Sequence, residues 1–88
     1  MVSEQYVEAV LTTAEDGDRG RIEQWLVERG LRAVPIRAGL LAQGDRRTFD
    51  AAFGVDLQRT SLPASLPVPP ELRALVASIT IPAPRRYH

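Results

Sequence analysis

Asp18-Arg19-Gly20-Arg21-Ile22-Glu23-Gln24-Trp25-Leu26-Val27-Glu28-Arg29-Gly30-Leu31 is the stretch on which the fold turns. Ile22, Trp25, Leu26 and Arg29 recur at i, i+3, i+4 and i+7. That spacing lines them along one face of a helix, with Arg29 contributing its aliphatic stem. Asp16 or Asp18 can accept the free amide hydrogens at the helix start, where a carboxylate also suits the positive end of the helix dipole. Gly30 stands where a left-handed residue closes a helix, and Leu31 is the apolar residue that follows such an ending. The pattern predicts a helix over residues 18–29.

Upstream, Val7, Ala9 and Leu11 alternate with Tyr6, Glu8 and Val10, the period of a half-buried strand over 6–13. Downstream, residues 32–37 and 40–43 read as two strands joined around Ala38-Gly39, with Val34 and Ile36 expected to point inward. Pro35 cannot donate to a ladder, so its strand belongs at a sheet edge. Gly44-Asp45 opens a second helix, over 45–53. Thr48, Phe49, Ala52 and Phe53 form its inner face, and Gly54-Val55 repeats the ending of the first. Residues 56–70 hold Pro63, Pro67, Pro69 and Pro70, which predicts a loop. A short helix from Pro70, carrying Leu72, Leu75 and Val76, precedes a final strand over 78–81.

The order is strand, helix, strand, strand, helix, strand, with a short extra helix before the last strand. This is the βαββαβ order of the ferredoxin-like α+β sandwich. It predicts an antiparallel four-stranded sheet with both helices on one face and the second and fourth strands at the edges. The predicted core contains Val7, Ala9, Trp25, Leu26, Ile36, Phe49, Phe53 and Ile79. Eighty-eight residues provide for one domain, assigned to 1–82, with a C-terminal tail at 83–88.

Composition narrows the function classes. The chain has no cysteine, hence no disulfide, no thiolate nucleophile and no cysteine metal ligand. Its single histidine is His88, without a partner for nucleophilic catalysis or metal binding. Eleven basic residues balance eleven acidic ones, so no excess positive charge draws nucleic acid. The aromatics that RNA-recognition sheets present on their central strands are missing from 40–43. Glu15-Asp16-Gly17-Asp18 lacks the twelve-residue calcium-loop pattern, and Gly17 and Gly20 belong to no phosphate-binding motif. No stretch is long and apolar enough to span a membrane, and the first residues lack a signal-peptide pattern, which gives the expectation of a cytoplasmic protein. No catalytic, cofactor-binding or metal residue is predicted, and the chain is expected not to be an enzyme.

Three segments resemble the activation propeptide of the sedolisin (kumamolisin-type) serine-carboxyl peptidases. They are Ile22 through Leu31 with its Trp25-Leu26 and Gly30-Leu31, then Gly44 through Leu57 with Ala52-Phe53-Gly54-Val55-Asp56-Leu57, and finally Leu66-Pro67 onward to Ile81. The order and spacing are the family's. The extra sequence that family members carry between first strand and first helix is missing, and so is the catalytic domain, so no catalytic residue transfers. The resemblance implies a propeptide-like module that binds another protein, as a trans-acting inhibitor or folding chaperone of a peptidase. The alternative is a structural or assembly subunit that reuses the fold. The resemblance also implies a partner-binding role for Pro82, Ala83, Pro84, Arg85, Arg86, Tyr87 and His88, because a propeptide's corresponding residues lead into the protease cleft. Neither nucleic acid nor membrane is an expected partner.

Overall fold

The structure, a computed structural model, describes residues 6–59, 61 and 63–82. Five strands and two helices follow in the order β1 (Tyr6–Thr13), α1 (Arg19–Glu28), β2 (Arg32–Ile36), β3 (Gly39–Asp45), α2 (Arg46–Phe53), β4 (Ala64–Leu66) and β5 (Val76–Ile81). Single 3-10 turns at Leu57–Arg59 and Pro70–Leu72 flank β4. The fold is α+β. Its sheet is antiparallel throughout, in the order β2-β3-β1-β5-β4.

Two expectations are corrected here. The sheet has five strands rather than four, because Ala64–Leu66 pairs with β5 inside the segment predicted to be a loop. Its flanking Pro63 and Pro67 lie just outside the paired residues, where the missing N–H groups cost the ladder nothing. As a result the last strand is not an edge: β5 is paired on one side with β1 and on the other with β4. The short helix predicted to carry Val76 stops at Leu72, and Val76 opens β5 instead.

The helices end as their sequences require. Asp18 caps α1, its Oδ1 accepting from Gly20 N at 2.9 Å and Arg21 N at 3.4 Å. At the far end Leu31 N donates to Leu26 O and Gly30 N to Val27 O, both at 3.0 Å, around Gly30 at φ +83°. That double closure needs a left-handed residue, which glycine adopts without strain. Asp45 caps α2, accepting from Thr48 N at 2.8 Å and Thr48 Oγ1 at 2.9 Å. Removing that acceptor with Asp45→Ala should cost about 1 kcal/mol, while Asp45→Asn should keep most of it. Urea denaturation of the two variants checks this, and equal losses would show that charge rather than hydrogen bonding matters at the cap.

The core lies between the helices and one side of the sheet. Ala9, Leu11, Leu40, Ala42, Leu66, Ile79 and Ile81 line the sheet side. Ile22, Trp25, Leu26, Phe49 and Phe53 come down from the helices, with Leu31, Leu72 and Val76 closing the ends. Trp25 packs on Phe53 (5.4 Å between ring centroids, tilted) and Phe53 on Phe49 (5.6 Å, stacked). Arg29 covers the outer face of Trp25, its guanidinium carbon 3.9 Å from the ring centroid, while its Nη1 donates to Trp25 O. The predicted core is right in six of its eight members; Val7 and Ile36 are only half-buried.

Val34 and Ile36 do not point inward. Ala33 pairs with Ala42 and Pro35 with Leu40, both of which face the helices. Strand alternation therefore sends Val34 and Ile36 to the opposite side of the sheet.

Candidate functional site

Among the described residues neither helix covers the second side of the sheet, and this bare face is the candidate site. Register assigns its residues to rows that run across the strands. The central row is Val34 on β2, Leu41 on β3, Val10 on β1, Thr80 on β5 and Ser65 on β4. To one side lies Ile36, Gly39, Thr12 and Ser78. To the other lies Arg32, Gln43 and Glu8, followed by Asp45 beside Tyr6.

The apolar members of this face, Val34, Ile36, Leu41 and Val10, are all half-buried by their neighbours in the sheet. Tyr6 stands 62% exposed at the rim, the most exposed of the large hydrophobic side chains described. Arg32 and Glu8 are exposed, and Gln43 Nε2 donates to Glu8 Oε2. Asp45 is turned toward α2, whose first turn it caps. The result is a patch of four aliphatic side chains on β2, β3 and β1, bordered by hydroxyls on β5 and by a cation–amide–anion row at one end. A complementary surface laid on such a patch would exclude water from it. The patch carries no nucleophile with an adjacent base. No group of three or more His, Asp or Glu side chains is gathered for a metal ion among the described residues.

The sheet edges differ from its face. On β2 the edge holds exposed Pro35, and the β4 edge is three residues long between prolines. Arg19 Nη2 donates to Arg37 O just beyond β2 (3.1 Å), so that carbonyl is already used.

Of the predicted partner-binding tail, Pro82 is exposed directly after β5. Ala83, Pro84, Arg85, Arg86, Tyr87 and His88 lie outside the described residues. The expectation that the last strand stands at a sheet edge is overturned by β4, which pairs along it. The face residues Val34, Leu41 and Val10 were not individually named as a site, and Val34 was expected to point inward. The available signal was parity: Leu40 and Leu41 are adjacent and both apolar, and only one of them can face the helices.

The chain matches no protein-family model, no curated protein and no solved structure. No helix among the described residues is long and apolar enough to cross a membrane.

Proposed function

We propose that this chain is a non-catalytic protein-binding module that acts on a peptidase in trans, as an inhibitor or folding chaperone, in the manner of the sedolisin propeptides it resembles. In support, β2, β3, β1 and β5 are successive neighbours in the sheet, as they would be in a ferredoxin-like sheet extended by one edge strand. The observation that carries the reading is the bare face with its Val34-Leu41-Val10 row. A sheet packed on one side only leaves apolar side chains that another protein can cover at little cost in ordering, because the strands already hold them in place. The tail from Ala83 to His88 would supply the second contact. Pro82 and Pro84 favour an extended backbone, and Arg85, Arg86 and Tyr87 are of the types that anchor interfaces.

The test uses purified full-length chain and a purified serine-carboxyl peptidase freed of its own propeptide. Inhibition, or an increased yield of active enzyme on refolding, is the expected result. Leu41→Arg and a deletion of 85–88 should each weaken the effect at least tenfold. Both variants should remain folded by circular dichroism, with a modest loss of stability allowed for Leu41→Arg because Leu41 is half-buried. An unchanged effect in the deletion confines binding to the sheet face. No effect of the wild-type chain on activity or refolding overturns the peptidase reading in favour of an assembly subunit.

A further inference from the structure

We infer that the bare sheet face also pairs with the same face of a second copy, around a two-fold axis that runs along β3. The charges on the face are arranged for it. Arg32 and Glu8 both pair with Gln43, from opposite sides, so they lie in one row with β3 midway between them. Rotation by 180° about an axis parallel to β3 exchanges the β2 and β1 sides and keeps the rows in place. Arg32 of one copy then meets Glu8 of the other, twice over. In the next row Val34 meets Val10, and Leu41 meets Leu41 on the axis. Gln43 meets Gln43, whose amide can both donate and accept. A two-fold interface requires such self-complementarity. An axis running across the strands would set Arg32 and Glu8 against Ile36 and Thr12, which offer them no charge.

The geometry of stacked sheets allows the contact. Strands about 4.8 Å apart put β2 and β1 roughly 10 Å apart, and aligned sheets pack about 10 Å from each other, within reach of arginine and glutamate side chains. Asp45, which would come near the axis, is drawn away by its hydrogen bonds to Thr48. Only β2, β3 and β1 of each copy overlap about this axis, so three strands by some six residues span roughly 10 by 20 Å and both copies together contribute about 400 Å², well below the roughly 1,200 Å² of a stable interface. The dimer is therefore weak and reversible. It hides the face that a heterologous partner would use, and it stands independently of which partner that is.

Charge exchange tests this with the full-length chain in sedimentation velocity, from about 10 μM to about 1 mM at low salt. The wild-type chain should shift from monomer toward dimer across that range, and added salt should weaken the association, since exposed ion pairs are screened. Arg32→Glu alone opposes glutamates, Glu8→Arg alone opposes arginines, and each should stay monomeric with an unchanged melting curve. An equimolar mixture of the two variants should dimerise, because every pair is again opposite in sign, and the double variant should regain self-association. A wild-type chain that is monomeric throughout overturns the inference. So does a wild-type dimer that the single variants retain, or one that the mixture fails to restore.

Discussion

Phe49→Ala should destabilise this domain by about 3–5 kcal/mol, the usual range for emptying a large aromatic site in a core. Phe49 has no exposed surface and its ring stacks on Phe53, which in turn packs on Trp25. The cavity would open beneath α2, where Leu31 and the backbone at Gly44 lie close by, and strand backbone cannot collapse to refill it. A domain of 88 residues has a total stability of only about 4–13 kcal/mol, so the loss is about a quarter of it or more. Urea denaturation followed by the fluorescence of Trp25 measures the effect, since the indole is two aromatic contacts away. Phe53→Ala should fall at the low end of the same range, because Phe53 retains 6% exposure. Val27→Ala, on the exposed side of α1, should change stability by less than about 0.5 kcal/mol. A Phe49→Ala unfolding free energy within about 1 kcal/mol of wild type would mean that the helix layer is not held by this cluster.

Gly39→Ala should be at least as damaging, through an opposite fault. A Cβ at this position would collide with the Leu11 carbonyl oxygen and would lie 2.6 Å from Thr13 Oγ1 and 2.8 Å from Thr13 N. Thr13 N is engaged with Ala38 O at 3.1 Å, so β1 cannot withdraw without losing that bond as well. Overpacking costs about 1–3 kcal/mol where side chains can turn aside, and more where the obstacle is backbone. The expected loss is therefore about 3 kcal/mol or more, with faster amide exchange along β1 and β3. Gly54→Ala makes the comparison, because space is open there and only its φ of +66° opposes a side chain. That variant should lose about 1–2 kcal/mol. If Gly39→Ala were the milder of the two, the close approach of β1 to the β2–β3 turn would not exist in solution.

The helices were legible because local chemistry determines them. Asp18, Gly30, Asp45 and Gly54 mark their ends, and the apolar spacing of Ile22, Trp25 and Leu26 marks the buried side. β1 was legible for the same reason, more and less buried positions alternating from Tyr6 to Thr12. β4 was not, since three residues between prolines carry no period, and Leu66 is held by its position opposite Ile79 rather than by any local preference. The start of β5 was hidden by an irregularity in its pairing. Thr12 faces Ser78 but Thr13 faces Val76, so Ala77 is an extra residue that returns Val76 to the core. Without it the alternation running back from Ile79 would put Val76 outside, which is why the segment reads as helix. The face was misread at Val34 and Ile36 because an edge strand shows two half-buried sides, and only pairing with β3 decides between them.

The prolines at the two margins of the sheet have a consequence for behaviour at high concentration. An antiparallel sheet that ends in a long unpaired strand invites copies to add on side by side without limit, the route to fibrils. Here one margin is interrupted by Pro35 in mid-strand, and the other is only Ala64-Ser65-Leu66 between Pro63 and Pro67. Lateral growth is blocked at both ends, while contact through the flat surface closes on itself after two copies. Concentrated samples should therefore stop at small, soluble species and fail to seed thioflavin-binding aggregates. Replacing Pro35 by valine would reopen the β2 margin to sideways addition.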